Sequence, residues 1–132
     1  MARILVVDDE DGIRELLCTV LSRKGHEVLL AESGERGLKL FQQKQPQITI
    51  LDLHMPDVTG IEVLKRIRAE NDQACVIILT GYATAEAVAM ARTLGVTDVL
   101  KKEFSLHELG AAIKLALGDT PNARSGQAGP VS

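Results

Sequence analysis

The chain has 132 residues, 45% hydrophobic and 25% charged, with a formal net charge of −3. That length fits one ordinary domain, which buries roughly two-thirds of the surface of its unfolded chain. A pI near 5.6 leaves no basic footprint for nucleic acid, and 2% aromatic residues leave no base-stacking surface. A mean hydropathy of +0.08 excludes disorder over most of the chain. No apolar run approaches the ~20 residues that cross a bilayer, and Met1-Ala2-Arg3 leads straight into a strand-like run. No membrane contact and a cytoplasmic location are therefore expected. Cys18 and Cys75 lie far apart in apolar contexts, so buried reduced thiols are expected rather than a disulfide or a metal site.

In chain order, Ile4-Leu5-Val6-Val7 reads as a strand that ends in Asp8-Asp9-Glu10. Glu10 and Asp11 favour the start of a helix in which Ile13, Leu16, Leu17, Val20 and Leu21 form one apolar stripe, with Gly25 ending it. Val28-Leu29-Leu30 is the second strand, and Leu38 and Phe41 mark a second helix over about 34–44. Ile48-Thr49-Ile50-Leu51 runs into Asp52, and Ile61, Leu64 and Ile67 define a third helix. Val76-Ile77-Ile78-Leu79 runs into Thr80. The fourth helix, about 84–93, is mostly alanine, with Val88 its one large core candidate and Met90 and Leu94 near its end. Alanine favours helix but buries little area, so weak anchoring is expected. Val99-Leu100 runs into Lys101-Lys102. Ser105 and Glu108, at capping-box spacing, open a fifth helix with Leu106, Leu109, Ile113 and Leu117 on one face. His26 and His107 read as surface histidines. Residues 118–132 turn small, polar and Gly/Pro-rich, as in a flexible tail or a truncated linker.

Short, nearly unbroken β-branched runs suit strands covered on both faces, and their alternation with helices predicts an α/β fold with a parallel sheet. The flavodoxin-like order 2-1-3-4-5 is the leading expectation, with ligands bound beyond the carboxyl ends where strand order reverses. That order brings Asp8, Asp9 and Asp52 together. Three neighbouring carboxylates call for a cation, and oxygen ligands suit Mg2+ (or Mn2+). A carboxylate nucleophile, a metal, a lysine and a threonine hydroxyl are the parts that phosphoryl transfer needs.

These residues carry a resemblance. Ile4 to Glu10, Leu51 to Gly60, Ile78 to Tyr82 and Gly95 to Phe104, in order and over about residues 2–117, resemble the receiver domain of bacterial two-component response regulators. The resemblance implies a CheY-like domain over 1–117. In it Asp52 accepts a phosphoryl group from the phosphohistidine of a sensor histidine kinase or a phosphotransfer protein. Asp9, Asp52 and the His54 backbone carbonyl would ligate Mg2+, and Asp8 would act through water. Thr80 and Lys102 would contact the phosphoryl oxygens, and Gly81 would leave room for donor and water. His54 and Tyr82 fall at two positions that tune self-dephosphorylation. Met55-Pro56 and Gly60 would shape the loop before the third helix. The implied class is a signalling switch rather than a turnover enzyme. It would act on an output domain or partner through the fourth helix, fifth strand and fifth helix, with a homodimer possible and no direct nucleic-acid contact.

Two positions depart from the pattern. Glu103 replaces the proline that usually follows the lysine in a cis bond. A cis bond to a non-proline residue costs ~3–4 kcal/mol, which predicts a trans bond or a rebuilt loop. Val99 stands where many receivers have a Tyr or Phe that swings inward. A pseudo-receiver, acting as a phosphorylation-independent interaction module, is therefore the alternative. A carboxylate-nucleophile phosphatase would need Asp-x-Asp-x-Thr after the first strand, and a dinucleotide binder would need a Gly-rich turn there. Asp8-Asp9-Glu10 supplies neither.

Overall fold

Five strands alternate with five helices in the computed structural model, which describes residues 1–118. In order they are β1 (Arg3–Val7), α1 (Asp11–Arg23), β2 (Glu27–Ala31), α2 (Gly34–Lys44), β3 (Ile48–Leu51), α3 (Gly60–Glu70), β4 (Cys75–Thr80), α4 (Ala85–Thr93), β5 (Asp98–Lys101) and α5 (Leu106–Ala116). The strands form one parallel sheet in the order β2-β1-β3-β4-β5, as expected. Apart from Gly118, the tail expected over 118–132 lies outside the described residues.

Strand alternation divides the core into two layers. Leu5, Val7, Leu51 and Ile78 meet Leu38 and Phe41 of α2, Val63, Leu64 and Ile67 of α3, and Ala91 of α4. Ile4, Val6, Ile50 and Leu79 point the other way, onto Leu17 and Leu21 of α1 and Leu109, Ala112 and Ile113 of α5. Local chemistry starts most of the helices. Ser33, Thr59 and Thr84 accept the N–H groups of Arg36, Glu62 and Ala87, and Ser105 and Glu108 close the expected capping box.

Several apolar positions lie further out than their periodicity suggests. Leu16 is 42% exposed because α1 meets the sheet along Leu17 and Leu21, and a neighbouring residue points about 100° away. Leu106 and Leu117 are exposed at the two ends of α5, beyond the sheet that Leu109 and Ile113 cover. β2 is an edge strand, half-buried with Leu30 exposed, and is not covered on both faces. In α4 the buried side chain is Ala91, with Val88 only half-buried and Met90 exposed. Cys18 and Cys75 are free thiols, half-buried rather than buried, and the Cys75 thiol lies 3.2 Å from the Ala116 carbonyl. No helix among the described residues is long and apolar enough to cross a membrane.

Candidate functional site

Register places the acids side by side. Val7 pairs with both Ala31 and Leu51, so β1 and β3 end level at the centre of the sheet. The Asp8 N–H donates to the Ala31 carbonyl at 3.0 Å and the Asp52 N–H to the Val7 carbonyl at 3.0 Å, which carries the ladder one residue further. Carboxylate oxygens of Asp8, Asp9 and Asp52 lie within 4.8 Å of one another. Asp8 and Asp52 are each 2% exposed, whereas Asp9 is exposed.

The loop after β3 is held from below. Leu53 and Met55 are buried in the core, and the Gly60 N–H donates to the Leu53 carbonyl at 3.0 Å. A Cβ on Gly60 would sit 2.3 Å from the Asp52 carbonyl oxygen, so only glycine lets α3 begin this close to Asp52. Within the turn, the His54 N–H donates to Asp52 Oδ1 at 3.1 Å.

Lys102 crosses from the end of β5. Its Nζ lies 3.2 Å from the Asp8 carboxylate, 3.1 Å from Asp52 Oδ2 and 2.9 Å from Glu10 Oε1. Lys101, paired with Thr80 in the ladder, is exposed; Lys102 alone of the two reaches the acids. The Lys102–Glu103 bond is trans, as expected, because the described residues contain no cis peptide. Burial disfavours the ammonium, but hydrogen bonds to Glu10 and Asp52, and the charges of Asp52 and Asp8, outweigh it and hold the Lys102 pKa above its ordinary value. Burial pushes the Asp8 carboxyl up, and the Asp52 charge adds to this. The Glu10 N–H and Lys102 offset only part of the rise.

A cavity of ≈ 230 Å³ opens over this cluster, with Asp9, Glu10, Asp52, His54, Gly81, Tyr82 and Lys102 around it. At Gly81 a Cβ would meet Lys102 Cδ at 3.4 Å, an ordinary contact, so the protein itself does not demand glycine there. Thr80 is buried, and its hydroxyl donates to the Tyr82 carbonyl at 2.9 Å. The Tyr82 ring is exposed and meets the His54 ring edge-on at 6.3 Å. Val99 and Glu103 are not in this cavity. They line a neighbouring one of ≈ 430 Å³ beneath α4, which Thr80 and Val88 share. A cavity of ≈ 460 Å³ at the opposite end of the sheet holds one acid, Glu70, already bonded by Gln42 at 2.6 Å.

Three polar residues outside the expected site bear on it. The Glu10 carboxylate makes no cap on α1 and turns to Lys102 instead. Arg14 donates to the Asp8 backbone carbonyl at 2.7 Å and pairs with Asp11. Asp57 receives the N–H groups of Gly34 and Glu35 at 3.1 Å each, tying the loop after Asp52 to the start of α2. The acid run Asp8-Asp9-Glu10 signals Glu10 in the sequence; nothing local signals the other two. His26 is half-buried rather than a plain surface residue. Its Nδ1 accepts the Ala2 N–H at 3.1 Å, and burial lowers its pKa, helped by the N-terminal amine and Lys24.

The family model of the response regulator receiver domain matches residues 4–114. Sporulation initiation phosphotransferase F of Bacillus subtilis is 33% identical over 112 residues, covering 85% of this chain and 90% of its relative. Regulatory protein AtoC of Escherichia coli is 37% identical over 115 residues, 87% of this chain but 25% of AtoC. The chain spans about half of several other relatives, such as the probable transcriptional regulator ycf27 of Cyanophora paradoxa, where it covers 50% at 40% identity. Among solved structures, a receiver domain from Clostridium thermocellum superposes with a TM-score of 0.84 at 33% identity, covering 89% of this chain and 94% of that one. Vibrio cholerae CheY4 gives 0.80 at 29% identity, with 86% and 97% covered. With the same sheet order and the acid-tipped central strands, the chain belongs to the receiver domain family of two-component response regulators.

Proposed function

We propose that the chain accepts a phosphoryl group on Asp52 from the phosphohistidine of a sensor histidine kinase or a phosphotransfer protein, in a reaction dependent on Mg2+ (or Mn2+). The observation that carries this reading is the buried Asp52 carboxylate at a central strand end, bonded to Lys102 and facing an open cavity. The Asp52–phosphorus bond forms as the nitrogen–phosphorus bond breaks, and the imidazole leaves with the bonding pair. The all-oxygen donor set suits a hard divalent cation. Asp9, Asp52 and the His54 carbonyl would hold it, with Asp8 acting through water. When bound, it supplies charge neutralisation for the phosphoryl oxygens.

Lys102 then moves one donor from Asp52 to a phosphoryl oxygen. Thr80 exchanges the Tyr82 carbonyl for another, and Gly81 keeps the approach clear. His54 and Tyr82, at the rim, govern access of the hydrolytic water and so the lifetime of the phosphoryl group. Loss of the Thr80–Tyr82 bond frees the loop leading into α4, and the signal leaves through α4, β5 and α5 to an output domain, a partner protein or a second copy. The domain acts in the cytoplasm as a switch that catalyses its own phosphorylation and dephosphorylation.

Intact-mass analysis after incubation with acetyl phosphate and Mg2+ tests this. A single Mg2+-dependent phosphate adduct on the parent, absent from Asp52→Asn, is expected; an adduct surviving in Asp52→Asn sinks the assignment. Val99 and Glu103 favour a second reading, the phosphorylation-independent module. A folded parent that binds Mg2+ but takes up neither phosphate nor beryllofluoride would select it.

A further inference from the structure

An ammonium group has three N–H donors, and each one on Lys102 meets a different carboxylate: Asp8, Glu10 and Asp52. Two of these partners are buried and belong to the acid cluster that suits a cation. Glu10 differs from them on three counts. Its side chain is 52% exposed, it makes no cap on α1, and it is not one of the three carboxylates that converge. Yet its bond to Lys102 is the shortest of the three, at 2.9 Å.

A lysine ammonium and a divalent cation compete for the same carboxylate oxygens, since each draws on the same negative charge. In this structure one position of the Lys102 ammonium serves all three acids. Its partners fall into two groups: Asp8 and Asp52 lie deep, and Glu10 lies at the rim, where solvent already reaches. The backbone after β5 does little to choose between them, because Lys102 is pinned there by one hydrogen bond, from its N–H to the Thr80 carbonyl at 3.1 Å.

We propose that Glu10 is a positioning residue that draws the Lys102 ammonium to the rim of the site, freeing the Asp8 and Asp52 oxygens for a divalent cation while keeping the ammonium within reach of a phosphoryl group on Asp52. The inference rests on the metal-dependent reading above and adds a residue to it. Glu10 acts through Lys102, not as a ligand. Removing it leaves the ammonium with the buried acids alone, where it competes with the cation.

A double-mutant cycle read by calorimetric Mg2+ titration separates these roles. Glu10→Gln should weaken Mg2+ binding about tenfold in the parent, and by about twofold or less when Lys102→Met is already present. An equal loss in both backgrounds would make Glu10 a plain negative charge acting on the cation and overturn the proposal; so would no loss in the parent. Should Lys102→Met not fold, the Lys102 ammonium resonance in nitrogen-15 NMR replaces it. Its proton exchange should slow in Glu10→Gln, as the ammonium withdraws to the buried acids, and unchanged or faster exchange overturns the proposal. A parent that binds no Mg2+ overturns the metal-dependent reading, and the positioning role falls with it.

Discussion

Two polar groups away from the site, one buried and one half-buried, show how far a single side chain departs from its surroundings. Thr49 is fully buried in β3, and its hydroxyl has no hydrogen-bond partner. Valine has the same branched shape without the unsatisfied oxygen, so Thr49→Val should raise the unfolding free energy by about 1 kcal/mol in urea titrations. A decrease would mean that the hydroxyl has a partner. His26 works in the opposite sense to an ion pair. Its folded pKa is lowered from 6.5, chiefly by burial, so the unfolded chain binds the proton more tightly. Its contribution to stability is therefore full above 6.5 and is lost as pH falls through the folded value. The urea midpoint should drop on acidification through this window, and drop less in His26→Gln. An equal drop in the variant would assign the effect to other groups. Neither feature follows from periodicity. Thr49 suits a strand in any environment, and the Ala2–His26 bond joins residues 24 apart.

α4 shows how an element with little to bury is held. Ala91 alone among its side chains is fully buried, which the alanine-rich sequence foreshadows, although Val88 looks the better candidate. What the sequence hides is Arg68 on α3. Its guanidinium donates to the carbonyls of Leu94 at 2.6 Å, Ala74 at 2.6 Å and Gly95 at 2.9 Å, fastening the carboxyl end of α4 to the loop before β4. In α3 that arginine reads as one more charged surface position. Hydrogen bonds from a charged donor to backbone carbonyls are worth ~1.5–3 kcal/mol, so Arg68→Met should lower stability by about 2 kcal/mol. It should also speed amide exchange at residues 94–97, and unchanged exchange there would show that the clamp is idle. The amino end of α4 has no such fastening and follows the Thr80–Tyr82 hydrogen bond. Tyr82 is the single tyrosine in a chain without tryptophan, so its emission reports this loop directly. Beryllofluoride with Mg2+ should change the emission in the parent and leave it unchanged in Thr80→Val. The same change in both would detach Thr80 from the signal.

The alternation of five apolar runs with five helical segments makes the fold class legible, and the acids at strand ends make the site legible once the strand order is supplied. Periodicity carries no strand order; Asp8 and Asp52 become neighbours only because β1 lies between β2 and β3. It also cannot distinguish an edge strand from a central one, which is why β2 looks as apolar as β3. A contact across the fold such as that of Asp57 with α2 is set by that topology and leaves no local trace.

The arrangement places a stability problem at one end of the molecule. Asp8 and Asp52 are both buried, and Asp8 is held above its ordinary pKa by burial and by the charge of Asp52. A carboxyl whose folded pKa is raised loses its contribution to stability as pH rises through that folded value. The ionised form of Asp8 is thus a charge that the metal-free fold disfavours. Asp8→Asn removes that charge and keeps an acceptor for the Glu10 N–H, so it should raise the thermal midpoint of the metal-free domain. Mg2+ should raise the midpoint of the parent through the same acids, because a ligand bound only by the folded state stabilises it by about 2.7 kcal/mol at a hundred times its dissociation constant. In Asp8→Asn that metal-dependent rise should shrink while the metal-free midpoint is higher. The two effects together are what a site selected for cation and phosphoryl binding produces. A lower metal-free midpoint in Asp8→Asn would instead make the Asp8–Lys102 pair a structural salt bridge, with the acid cluster held together for the fold alone.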